Sequence, residues 1–131
     1  MRRSSRRSRP RASCACALAA LRVLKKTPSL VSDLQHISRY MRDSLTEKGV
    51  KIRMSDTPIV PIFTYDAVTT LTINKELYEQ GVYVNPSLPP ATPPSECLLR
   101  TSLMATHTEP IIDEATDIIA EVLSHHDLGA K

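Results

Sequence analysis

The segment Leu98-Leu99-Arg100-Thr101-Ser102-Leu103 decides the fold, because its residues alternate as the two faces of a β-strand require. One face carries Leu99, Thr101 and Leu103, and the other carries Leu98, Arg100 and Ser102. Arg100 is therefore predicted to project from the middle of a sheet.

Two shorter apolar runs upstream predict further strands. The run 59–63 contains Pro61, which indicates an edge or irregular position, and Val82-Tyr83-Val84 follows a predicted helix. Between the second run and the strand at 98–103, residues 86–94 hold five of the ten prolines. Proline lacks a backbone donor, so we predict that this segment is a stiff extended loop that cannot join a central ladder.

Helical periodicity marks four other segments, at 14–26, 30–45, 67–80 and after Thr108. Gly49 and Gly81 predict two of the helix ends, and Thr108 is the predicted N-cap of the last helix. Its buried stripe is predicted to hold Ile111, Ala115, Ile118 and Val122, widened by Ile112, Ile119 and Leu123. The order predicts an α+β fold with a small, mainly antiparallel sheet covered on one side by helices.

Composition limits the classes of partner. The 131 residues suit one domain, and the six arginines of the acid-free leader, residues 1–12, account for the net charge of +3. Without these six, 11 basic residues stand against 14 acidic ones, a net charge of −3. We therefore predict no nucleic-acid partner for the folded part, and no membrane span, since no stretch approaches roughly 20 apolar residues.

The leader and the cysteines leave localisation open. An Arg/Ser-rich leader is typical of organelle transit peptides, of disordered basic arms, and of the edge of a gene whose frame begins upstream. We predict a disordered leader and a cytoplasmic protein, with a mitochondrial location as the alternative. Cys14, Cys16 and Cys97 are an odd number without the spacing of a zinc site, so neither a disulfide framework nor a metal is predicted.

Four pieces of the chain, in this order and spacing, resemble the carboxy-terminal part of the alpha-oxoamine synthases. These enzymes use pyridoxal phosphate (PLP) to join an amino acid to an acyl-CoA with loss of carbon dioxide. The pieces are residues 57–62, 77–84, 89–93 and 99–108, preceded by a similar helix end at 45–49. The resemblance implies the small carboxy-terminal domain of fold-type I PLP transferases, over residues 13–128, with linking helices at 13–48.

The resemblance also implies where the chemistry lies. In the complete enzyme, which it implies is a homodimer, PLP is held by a lysine in a Gly-rich segment of the large domain, and no such segment occurs here. We therefore expect this chain to hold no cofactor and to have no synthase turnover alone.

Arg100 matches the family's arginine that binds the carboxylate of the substrate amino acid, and Pro89, Pro90 and Thr92 match a loop bordering the substrate. The alternatives are a surface ion pair for Arg100 and a PxxP ligand for the proline loop. His107 is expected to cap or pack, and His125-His126 to lie at a frayed helix end; no catalytic residue is predicted.

Two other classes of function remain as rivals to this enzyme domain. One is a stand-alone, non-catalytic α+β binding or regulatory module. The other is a nucleic-acid binder that acts through its arginine-rich arm, which would give steeply salt-dependent binding.

Overall fold

A computed structural model of the protein describes residues 11–128. The described residues divide into two compact units, one that ends at Ser32 and one that begins at Asp33. Residues 1–10 of the predicted leader lie outside the described part, and Arg11 and Ala12 already belong to the first helix. The prediction of a disordered leader therefore stays a prediction.

The first unit contains helix α1 (Arg11–Lys26) and the beginning of α2 (Ser29–Glu47). Lys25 and Lys26 lie in the last turn of α1, where positive charge suits the negative end of the helix dipole. No side chain of α1 is buried, although the helix carries an Ala/Leu-rich sequence.

The second unit contains the rest of α2 and the remaining elements in chain order. These are β1 (Ile59–Tyr65), α3 (Ala67–Glu79), β2 (Asn85–Ser87), β3 (Cys97–Ser102) and α4 (Glu109–His125). The order of helices and strands and the antiparallel pairing confirm the predicted α+β class. No helix within residues 11–128 is long and apolar enough to cross a membrane.

Strand β3 is the centre of the three-stranded sheet, whose order is β1-β3-β2. It pairs antiparallel with β1, with Ile62 opposite Leu99, and antiparallel with β2, with Asn85 opposite Arg100. On the outer side of β1, the Arg53 amide donates to the Pro61 carbonyl at 2.9 Å. The segment predicted to decide the fold is thus the strand that joins the other two.

The strand predicted at 82–84 is wrong, because β2 begins three residues later. Gly81, with φ of 88°, ends α3 in a Schellman motif in which the Val82 amide donates to the Leu77 carbonyl at 2.8 Å. This use of Val82 delays the strand. Pro86, predicted to lie in a loop, consequently lies in β2, where an edge position tolerates the missing donor.

Helices α2, α3 and α4 cover one face of the sheet. The buried hydrophobic cluster includes Leu45, Ile73, Leu77, Leu99 and Ile119, each 0% exposed. Burying such side chains stabilises the fold by roughly 1.5–3 kcal/mol each.

The buried stripe of α4 differs from the predicted one. Its buried residues are Ile112, Thr116, Ile119, Val122 and Leu123, whereas Ile111 is 51% exposed. The prediction is right for Ile112, Ile119, Val122 and Leu123 and wrong for Ile111, because the buried face is centred on a polar residue, Thr116.

Thr116 is satisfied by a polar cluster that joins α2 to α4. Its hydroxyl lies 2.9 Å from the Ser44 hydroxyl, and the Lys48 ammonium donates to it at 2.9 Å. Lys48 also forms an ion pair with Asp117 at 3.1 Å. Burial of Thr116 therefore leaves no unsatisfied hydroxyl.

Nearby, the Tyr40 hydroxyl donates to an Asp113 carboxylate oxygen at 2.8 Å. This hydrogen bond is the main reason why the pKa of Tyr40 is raised.

Candidate functional site

One face of the sheet is not covered by the three helices, and we call it the open face. Alternation along β1 and β3 places Arg100 on it, beside Pro61 and opposite Asn85 of β2. Phe63 also lies on this face and is half-buried. Leu98 belongs to the same alternation but is 6% exposed, so the outward face of β3 is partly covered.

Arg100 presents an exposed guanidinium on the central strand. Within residues 11–128 its side chain forms no hydrogen bond and no ion pair, so its five N–H donors are available to a ligand. The alternative interpretation, a surface ion pair with a neighbouring acid, has no partner in the described part of the chain.

A second guanidinium, that of Arg53, is held differently. It forms an ion pair with Glu96 at 3.0 Å, and it lies 5.3 Å from the ring centroid of Phe63. Its charge is therefore already compensated, in contrast to that of Arg100. Sequence reasoning missed this pair, and a separation of 43 residues left no local signal for it.

The proline loop begins where β2 ends, on the edge of the sheet next to β3. The Ala91 amide donates to the Leu88 carbonyl at 2.9 Å across a turn that contains the cis peptide Pro89-Pro90. The Thr92 hydroxyl reaches the Ser87 carbonyl at 3.4 Å. The loop thus has a defined shape beside the strand of Arg100.

Each predicted site residue has a defined position in the structure, but the loop residues are not hydrogen-bonded to Arg100 within residues 11–128. Pro89 and Pro90 are exposed and Thr92 is half-buried. Among the described residues, no side-chain hydrogen bond connects any of them to Arg100. A ligand bound by Arg100 would therefore contact the loop as a second, separate surface.

His107 and His126 have structural partners. His107 Nδ1 accepts from the Met104 amide at 3.3 Å, which is a local packing role. His126 is not at a frayed end, which corrects the prediction for that residue, because its Nε2 lies 3.0 Å from a Glu76 carboxylate oxygen. Asp127, with φ of 59°, is the left-handed residue of the Schellman motif that ends α4.

Two lysines have acidic or hydroxyl partners in the described part of the chain. Lys48 is bound to Ser44, Thr116 and Asp117, and Lys75 lies 3.7 Å from Glu79. Neither of them lies on the strands that form the open face. Whether this chain holds the cofactor stays a prediction. Within residues 11–128, no three His, Cys, Asp or Glu side chains lie together as a metal site would require.

Comparison with known proteins gives the class of this chain. The profile of the family described as aminotransferase class I and II matches residues 2–119. Serine palmitoyltransferase of Bacteroides thetaiotaomicron is 33% identical over 117 residues, which cover 89% of this chain and 30% of the relative. The chain therefore belongs to the aminotransferase class I and II family.

Other relatives define the branch within that family. The 8-amino-7-oxononanoate synthase of Symbiobacterium thermophilum is 31% identical over 115 residues, covering 88% of this chain and 29% of the relative. The structure of Sphingomonas wittichii serine palmitoyltransferase aligns with a TM-score of 0.70 at 26% identity, covering 75% of this chain and 25% of that one. These matches confirm the alpha-oxoamine synthase group. The chain spans about 30% of the length of the first curated relative it matches.

Proposed function

We propose that this chain provides the small domain of a PLP-dependent acyltransferase that condenses an amino acid with an acyl-CoA. Its relatives include serine palmitoyltransferases and 8-amino-7-oxononanoate synthases, and the match covers 89% of the chain in the first case. The α+β fold and the open face of its sheet suit a domain that covers a substrate site formed with a second domain.

The observation that carries the proposal is the guanidinium of Arg100, which has no hydrogen-bond or ion-pair partner between residues 11 and 128. It projects from the central strand of the open face, while the neighbouring Arg53 is already paired with Glu96. A guanidinium binds a carboxylate through two parallel charge-assisted hydrogen bonds, which fix orientation as well as affinity. In this proposal Arg100 binds the carboxylate of the amino acid, and the loop with Pro89, Pro90 and Thr92 borders that substrate.

We assign the covalent chemistry to a large domain that is not part of these residues. The sequence has no Gly-rich lysine segment of the kind the family uses, and Lys48 and Lys75 are occupied by other partners. This chain's share in catalysis is accordingly to bind and orient one substrate. The homodimer and the cytoplasmic location expected from the sequence belong to the same proposal.

A domain exchange tests the proposal. The corresponding carboxy-terminal part of the Bacteroides thetaiotaomicron relative is replaced by this chain, and release of CoA is measured with an acyl-CoA and each of several amino acids. We expect amino-acid-dependent CoA release above that of the relative truncated before the exchanged part. Soluble chimera that binds PLP but releases no CoA with any amino acid would refute the assignment.

The expectation about the cofactor is tested on the chain alone. PLP is titrated into the protein, the mixture is reduced with borohydride, and adducts are located by mass spectrometry. We expect no stoichiometric adduct at a single lysine. A stoichiometric adduct at one position would support the rival interpretation, that the chain is a binding module in its own right.

A further inference from the structure

A polar pocket is lined by residues that belong neither to the strands of the open face nor to the proline loop. It is a shallow cavity of about 240 Å³ formed by α2 and the segment that precedes β1. Its lining consists of Gln35, Ser38, Arg39, Arg42, Asp56 and Pro58. Five of these six side chains are polar or charged, which is unusual for a pocket that binds an apolar group.

The two arginines are three residues apart on α2 and thus neighbours on one helix face. Arg42 is half-buried and is positioned by one hydrogen bond, from Nη1 to the Thr57 carbonyl at 3.1 Å. Arg39 is exposed, and its side chain has no hydrogen bond or ion pair with any residue from 11 to 128. One guanidinium is therefore fixed and the other is free to close on a ligand.

The rest of the lining is compatible with an anion. Ser38 is 2% exposed, and its hydroxyl donates to the Leu34 carbonyl at 2.6 Å. Ser38 therefore lines the pocket with its hydroxyl hydrogen already used within α2. Asp56 is the one carboxylate among the lining residues, and it forms no ion pair with Arg39 or Arg42 in the described part of the chain. The formal charge of the pocket is +1, since two guanidinium groups stand against this carboxylate.

We propose that this pocket binds the phosphate group of a small phosphorylated ligand between Arg39 and Arg42. Two planar guanidinium groups offer paired N–H donors, which match the oxygens of a phosphate better than an ammonium does. Binding here uses no residue of the open face. The inference therefore stands or falls independently of the role of Arg100.

The test is a titration of the full chain with inorganic pyrophosphate, followed by amide NMR shifts. We expect the shifts to concentrate at Ser38, Arg42 and Thr57. Arg39→Gln should weaken binding roughly fivefold, the effect of losing about 1 kcal/mol at an exposed ion pair. Arg22→Gln, the same charge change at an exposed position on α1, is the matched control and should leave the affinity unchanged.

Asp56→Asn provides a variant with the opposite sign. Removing the one carboxylate should tighten binding, an effect that a merely structural role of the pocket would not give. Equal affinities for Arg39→Gln and Arg22→Gln, or shifts confined to the arginines of residues 2–11, would overturn the proposal. Coenzyme A in place of pyrophosphate identifies the source: tighter binding indicates the nucleotide of an acyl-CoA, and equal or weaker binding indicates a free phosphate.

Discussion

Replacing Arg100 by alanine separates the two interpretations of this residue by the size of the effect. An exposed ion pair contributes about 0.2–1 kcal/mol, so its loss would change kcat/KM at most about fivefold. A carboxylate held between the open face and a second domain is shielded from water. Loss of one partner then costs about 2–5 kcal/mol, a factor of roughly 30 to several thousand. Because Arg100 has no partner within residues 11–128, we expect the larger effect.

The assay uses the chimera described above, with the amino acid and the acyl-CoA varied in turn. Arg100→Ala should lower kcat/KM for the amino acid strongly and for the acyl-CoA far less, since in the proposed function Arg100 binds the carboxylate of the amino acid. Arg100→Lys should restore only part of the activity, because an ammonium lacks the two-point geometry. Arg22→Ala is the control for charge. An unchanged kcat/KM for the amino acid in Arg100→Ala, with PLP still bound, would refute the reasoning.

Three further predictions concern the fold and are measured by denaturant unfolding of the full chain. Leu99→Ala should lower the free energy of unfolding by about 2–5 kcal/mol, since Leu99 is 0% exposed in the core; a loss below 1 kcal/mol would contradict this. Thr116→Val should cost about 1–3 kcal/mol by leaving the Lys48 ammonium without one acceptor, and an unchanged midpoint would contradict it. The Thr69 amide and hydroxyl hold the pKa of Asp66 below its usual 3.8, so its contribution is present above that value and is lost as the pH falls through the lower folded-state pKa. The stability difference between the native chain and Asp66→Asn should therefore shrink on acidification, and a constant difference would argue against the cap.

The strand that decides the fold could be predicted because its signal is local. Alternation alone separates the two faces of β3 and places Arg100 on the face opposite to Leu99. The exposure of Arg100 then comes from the structure. The segment 82–84 could not be assigned in this way, since Val-Tyr-Val favours a strand wherever it stands. Its fate depends on the Val82 amide, which the end of α3 uses first.

Long-range polar contacts set the other limit of prediction. Besides the Asp113 carbonyl, Thr116 has two partners 68 and 72 residues away, and no local sequence pattern predicts that a threonine is buried there. The pairing of Arg53 with Glu96 depends on the same kind of distant contact. Only the structure shows that Arg53 is compensated by Glu96, whereas Arg100 has no partner within residues 11–128. The family and the position of Arg100 could be predicted from short segments of the sequence.

Because β3 is the central strand, its register determines both the packing of the core and the side of the sheet on which Arg100 can bind a ligand. Its side chains alternate, so a shift of one residue would turn Arg100 toward the helices and Leu99 toward solvent. A single-codon insertion or deletion inside this strand would thus bury a charge and expose a core residue at once. In a library of β3 variants, a reporter of folding alone should already discard every clone in which the guanidinium faces the wrong way. Selection for activity would then need to act only on the residues around the Arg100 guanidinium.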